Sequence, residues 1–214
     1  GTLLLTSCAT TVEQDGEQPW IVDRFDDIKV IRYEVPGFES LTLEEKELIY
    51  YLSEAAKCGR DILFDQNFKY NLSIRRTLES IYTASEKRDG DEFKAFEKYL
   101  KKVWFANGIH HHYSNDKFKP EFSEGWFREQ LAAYINDENR QVEDDLLCKI
   151  IFDETLYSSR LNRAEGVDVV TASAGNYYEG VSQAEVEAFY GAMAAADEGN
   201  PEPISYGLNS KLMR

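Results

Sequence analysis

Apolar residues recur along most of this chain at three- and four-residue steps, the period of a helix with one buried face. Thr42-Leu43-Glu44-Glu45 is a capping box, in which the threonine hydroxyl and the glutamate carboxylate each satisfy a first-turn amide. It predicts a helix that carries Leu48, Ile49, Leu52, Ala55, Ala56, Gly59 and Ile62 on one face, with the small residues packed against a neighbouring helix. Leu72, Leu78 and Ile81 predict a second helix over 71–82, and Asp89 or Asp91 can cap a third that carries Phe93, Phe96, Leu100, Val103 and Trp104. Trp126, Phe127, Leu131 and Tyr134 predict a helix over 123–135, and Leu146, Leu147, Ile150 and Ile151 one over 143–158. A second capping box, Ser182-Gln183-Ala184-Glu185, opens a sixth helix with Val186, Phe189, Tyr190 and Met193, which runs out at Glu198-Gly199-Asn200-Pro201.

Period-two alternation and β-branched residues mark strands at 20–23 and 28–35, the latter stopped by Pro36-Gly37. Residues 165–171 read as a third strand, followed by small residues and a Tyr177-Tyr178 pair suited to a turn, and 204–212 reads as the start of a further element. About six helices and three isolated strand segments give a mainly helical α+β fold whose strands need partners elsewhere to satisfy their backbone groups. The helix aromatics read as core.

At 214 residues the chain can bury one sizeable core, and its 43% hydrophobic and 13% aromatic content is that of a folded protein. A formal charge of −15, with acidic residues interspersed among basic ones, repels phosphate backbones and anionic lipid and argues against nucleic-acid binding. Cys8, Cys58 and Cys148 have neither metal-type spacing nor the density of a disulfide framework. Cys58 and Cys148 fall in helical segments and are expected to be buried free thiols, with a single bridge between them as the alternative in an oxidising compartment.

Cys8 follows Leu3-Leu4-Leu5-Thr6-Ser7, which looks like the end of a bacterial lipoprotein signal, with Cys8 as the lipidation site. Residues 1–19 then form a signal remnant and polar tether, and 20–214 form the main domain. The expected location is the cell envelope, with membrane attachment only through lipid at Cys8. Without lipidation the expected location is the cytoplasm. No stretch approaches the roughly 20 apolar residues that span a bilayer.

All three histidines of the chain stand together in Asn107-Gly108-Ile109-His110-His111-His112-Tyr113-Ser114-Asn115-Asp116-Lys117-Phe118. Adjacent histidines point in different directions on any regular element, and no helical His-Glu-x-x-His pair occurs, so no metal ligands are assigned within the chain. Adventitious metal binding by the triplet is a weaker alternative, and a loop that is purely structural is another.

Two long stretches of this sequence resemble the N-terminal part of the dipeptidyl peptidase III family of zinc exopeptidases, most closely its bacterial branch. One carries Val35-Pro36-Gly37-Phe38, Tyr50-Tyr51-Leu52-Ser53-Glu54-Ala55-Ala56, Gly59-Arg60-Asp61, Phe64-Asp65-Gln66-Asn67, the block from Val103-Trp104-Phe105-Ala106 through the histidines to Tyr113, and Asp116-Lys117-Phe118. The other runs from Gly166 through Tyr177-Tyr178-Glu179-Gly180 to Tyr206-Gly207-Leu208-Asn209-Ser210-Lys211-Leu212. The resemblance implies that residues 20–214 form part of the zinc-free lobe, described in the family as helices around a small β-barrel. It also implies that the loop faces the peptide cleft, with Tyr113 on the substrate surface and His110, His111, His112, Asn115 and Asp116 as neighbours.

The family carries its zinc on a His-Glu-x-x-x-His helix and a later glutamate, and this chain has neither, so zinc is expected only in a complete enzyme. The implied function is removal of dipeptides from the N-terminus of oligopeptides, with this segment supplying cleft wall and inactive alone. The alternative is a lipid-anchored, non-catalytic peptide-binding or interaction module. A single lobe is also a candidate to dimerise over the surface its missing half would cover.

Overall fold

The computed structural model describes residues 20–196 and 198–199. The predicted lipidation site Cys8, the tether that follows it and the segment 204–212 lie outside the described residues. The chain divides into two compact units, Gly1–Lys46 and Glu47–Arg214. The fold is mainly helical with a small antiparallel sheet, an α+β arrangement.

In the first unit β1 (Ile21–Phe25) and β2 (Ile28–Ile31) form a two-stranded antiparallel hairpin, turning at Asp26, whose φ is +52°. The pairing registers Phe25 with Ile28 and Ile21 with Ile31, and slips between Ile21 and Asp23. Arg32 N–H donates to Trp20 O at 2.7 Å, and there the ladder stops. β2 was predicted to reach Val35. Past Arg32, no described strand lies opposite, so Tyr33, Glu34 and Val35 leave the sheet and are exposed. Among the described residues these two strands form one sheet, and the barrel implied by the resemblance is not formed by them. Gly37, at φ +90°, then opens a 3-10 turn, Phe38–Ser40.

The first capping box forms as read: Thr42 N–H donates to Glu45 Oε2 at 2.8 Å, and Glu45 N–H to Thr42 Oγ1 at 3.3 Å. These backbone and hydroxyl donors hold the Glu45 carboxyl below the usual range. It starts α1 (Leu43–Cys58), within which the two units divide.

The predicted helix through Ile62 breaks at Gly59, and α2 (Arg60–Asn67) follows. Glycine inside a helical pattern is costly, and here it marks the joint. Leu48, Leu52 and Ile62 are 59%, 60% and 60% exposed, so the expected packing face is not covered by described residues. Cys58, expected to be buried, is exposed for the same reason, while Cys148 is buried and both thiols are free.

The second unit has its core in α3 (Asn71–Ala84), α4 (Asp91–Ala106), α5 (Glu124–Tyr134) and α6 (Asp144–Phe152). α3 packs on α4 and α5, and α5 on α6. Leu78, Ile81, Phe96, Leu100, Val103, Phe127, Leu131, Leu147 and Ile150 are fully buried as the periodicity predicts, and Ile74 joins them, whereas Leu72 is half-buried and Leu146 is exposed. Rings of Phe93, Phe96, Phe122, Trp126 and Phe152 pack edge-on or tilted, with centroids of neighbouring rings 5.5 to 6.4 Å apart.

Gly90, and neither aspartate beside it, is the N-cap of α4. Ser123 caps α5 by accepting from Trp126 N–H, and it is itself fixed by Glu92, which accepts from the Ser123 amide and hydroxyl at 2.8 Å each.

α6 stops at Phe152 instead of running to 158. Asp153 Oδ1 accepts from Thr155 N–H at 2.9 Å and Leu156 N–H at 3.3 Å, a local turn that competes with the helix. The strand expected over 165–171 is instead a helical turn, α7 (Val169–Ala172), because Asp168 Oδ1 accepts from Val170 and Thr171 N–H at 2.9 Å each. Asp168 Oδ2 also accepts from Gln183 N–H at 2.9 Å, while Gln183 Oε1 accepts from Val169 N–H at 3.0 Å, so α7 is tied to α8 (Gln183–Ala196). The second capping box holds α8, with Ser182 N–H on Glu185 Oε2 at 2.8 Å. The six predicted helices become eight helical segments among the described residues, through the break at Gly59 and the added α7. No described helix is long and apolar enough to cross a membrane.

Candidate functional site

The histidine block leaves α4 through Asn107, which adopts the left-handed conformation (φ +53°), and Gly108 N–H closes the helix on Val103 O at 3.0 Å. The next ten residues fold back on themselves: Phe118 N–H donates to Ile109 O at 2.8 Å and His111 N–H to Asp116 O at 2.7 Å. Asn115, at φ +66°, makes the turn. A second segment then backs the loop, with Lys117 N–H on Ser158 O at 2.9 Å and Arg160 N–H on Asn115 O at 2.8 Å.

This geometry separates the six residues assigned to the substrate surface. His110 is only 2% exposed, its ring edge-on to Phe68 at 5.7 Å. Nε2 lies 2.8 Å from Tyr157 O, and since a carbonyl only accepts, that nitrogen carries the hydrogen. Nδ1 is buried with no hydrogen-bond partner among the described residues. His110 is therefore a packing residue here, taken off the surface on which the sequence placed it.

His111 Nδ1 accepts from the backbone N–H of Tyr113 and Ser114 at 3.2 and 3.1 Å, which shapes the tip. Its ring lies 4.5 Å from that of His112, and the His112 ring 4.5 Å from that of Tyr113. Tyr113 ends this row and is 83% exposed. Asp116 is exposed as well, whereas Asn115 is half-buried.

The three imidazoles thus serve three local purposes, and they do not converge. Among the described residues no group of three or more His, Cys, Asp or Glu could hold a metal ion.

Burial holds the His110 imidazole in its neutral form, with its pKa down from 6.5 to about 4; Lys117 and Arg160 push the same way, against the Tyr157 carbonyl and Asp116. The folded value lies below the unfolded one. Stability is therefore complete above pH 6.5 and falls between 6.5 and about 4, where the unfolded chain takes up a proton that the folded one refuses. The gap is worth about 3 kcal/mol. Urea denaturation across that window should show this loss in the wild type and not in His110→Gln. Parallel curves for the two proteins would refute the assignment.

The residue that organises the loop, Arg160, was not singled out from the sequence. Its Nε and Nη2 donate to Asn115 Oδ1 at 3.0 and 2.9 Å, Nη2 also to His112 O at 3.3 Å, and Nη1 to Asn67 Oδ1 at 3.2 Å. Beside it opens a cavity of about 370 Å³ that includes Asn67, Asn115, Arg160, Val170 and Tyr177 in its lining. Tyr178, read as a turn residue, also lines this space, and its hydroxyl lies 3.3 Å from that of Tyr190. The arrangement can present an exposed aromatic ring on a braced loop next to a concave, cation-bearing wall. No family model matches this chain, and no curated protein matches it.

Proposed function

We propose that residues 20–214 are part of the zinc-free lobe of a dipeptidyl peptidase III-like metallopeptidase, a cleft wall against which an oligopeptide is laid while its N-terminal dipeptide is removed. Such a wall orients the substrate and leaves bond breaking to groups outside this chain. The observation that supports the reading is Tyr113, 83% exposed on a loop that Arg160 and the 157–160 segment hold in place. A large, stiff amphipathic ring offers contact area to a peptide at small conformational cost. Attachment to the cell envelope through lipid at Cys8 belongs to the same proposal.

The second reading, a lipid-anchored non-catalytic peptide-binding module, is favoured by one observation. The loop and the adjoining cavity are assembled from this chain's own residues. Hydrolysis of a dipeptidyl-arylamide separates the two. The 214-residue chain is expected to be inactive with added zinc, and a form extended to the end of its gene is expected to release the arylamine. In that form Tyr113→Ala should raise KM about tenfold, equivalent to ~1.4 kcal/mol, with kcat little changed. An inactive extended form, or no further reading frame, overturns the peptidase in favour of the module.

A further inference from the structure

Arg160 carries a charge that the loop does not neutralise. Among the described residues all four of its side-chain hydrogen bonds end on neutral oxygens, the amides of Asn67 and Asn115 and the carbonyl of His112. These oxygens solvate the guanidinium without cancelling it, and one of its five N–H groups, on Nη1, is left over.

Among the described residues the cavity has no acidic residue in its lining, and Arg160 is the one charged residue there, in a chain of net charge −15. Leu161, Val169 and Val170 make the cavity apolar, with the Tyr177 and Tyr178 rings. One N–H of each asparagine amide is engaged, Asn67 Nδ2 on Asn107 O at 3.0 Å and Asn115 Nδ2 on Tyr113 O at 3.3 Å, which leaves one neutral donor on each. What the cavity offers a guest is therefore one half-buried planar cation, a few neutral polar groups from Asn67, Asn115 and Ser173, and apolar walls. A half-buried charge without a counter-ion is unfavourable, and an anion that brings its own apolar surface satisfies both features at once.

We propose that this cavity binds a small organic carboxylate with an apolar side group, the carboxylate on Arg160 and the side group against Leu161, Val169 and Val170. Its volume of about 370 Å³ falls at the small end of ligand pockets, enough for a single residue-sized acid. The site stands on the cavity alone and does not depend on the peptidase reading.

Isothermal titration of the 214-residue chain with N-acetyl-leucine, beside its C-terminal amide, tests it. The acid should bind saturably and weaken as sodium chloride rises, because the pair is electrostatic. The amide should bind at least about tenfold more weakly. Arg160 also braces the loop, so the deciding variant is Val170→Trp, which fills the cavity while retaining the Arg160 hydrogen bonds. It should lose acid binding with its circular dichroism and melting temperature unchanged. Equal affinity for acid and amide, no heat with either, or wild-type binding by the folded Val170→Trp protein would each overturn the site.

Discussion

Alanine at Gly108 should remove about 4 kcal/mol or more of stability, enough to abolish the cooperative urea transition of a marginally stable domain. Gly108 sits at φ +148°, a conformation that side chains rarely adopt. A Cβ there would lie 2.1 Å from Asn71 Nδ2 and 2.7 Å from its Cγ. Asn71 cannot step aside cheaply, because it is fully buried and its amide joins two elements. Nδ2 donates to Phe64 O at 3.1 Å, and Oδ1 accepts from Ile109 N–H at 3.1 Å. Displacing it leaves the buried Ile109 N–H unpaired, at about 1–3 kcal/mol, and takes one of two hydrogen bonds from Phe64 O, whose other donor is Phe68 N–H, with backbone strain added. Gly191→Ala is the control: it lies within α8 with open space around the new methyl, and should stabilise by about 0.5–1 kcal/mol. A Gly108→Ala protein within 1 kcal/mol of wild type would show that Asn71 has room the structure does not provide.

Lys117→Met should have the next largest effect, a loss of about 3 kcal/mol in urea denaturation. The Lys117 ammonium donates to Ile150 O at 3.0 Å, Leu156 O at 2.6 Å and Asp153 O. It thereby closes the C-terminal end of α6, where unsatisfied carbonyls concentrate negative charge. Burial lowers its pKa, opposed by Asp153 and Glu154, so the ammonium is retained by its acceptors against desolvation. Methionine matches the stem and removes all three donors. The same substitution should speed amide exchange at 157–160, since Lys117 holds the turn from which that segment departs. Stability within about 1 kcal/mol of wild type would mean that water replaces the ammonium.

These two sites show how the sequence carries its information. The helices α3 to α5 and the two capping boxes are legible because their signals lie within one or two turns. Phe96, Leu100 and Val103 repeat on one face, and Thr42 meets Glu45 three residues away. The early end of α6 is half legible: the Asp153 turn is local, but Lys117 reaches its carbonyls from 33 to 39 residues away. Residues 165–171 misled because valines beside valines read as a strand, whereas Asp168 captures two amides of its own turn and a third from Gln183. The histidine block was legible as a loop. Which histidine turns inward was not, because it depends on Phe68 and Tyr157, brought there by the fold. Arg160 left no local trace at all, since its partners are 45 to 93 residues distant.

The two described cysteines part company chemically. Cys148, inside α6, has its thiol pushed up to about 11 by burial, and at neutral pH it keeps the proton that a thiolate nucleophile must lose. Cys58 stands in solvent at the last residue of α1, its Sγ 3.5 Å from Glu54 O. Among the described residues a maleimide dye therefore has one place to attach. That place adjoins the joint at Gly59, so with Cys8 replaced, a fluorophore on Cys58 would sense changes in the surroundings of the α1–α2 joint.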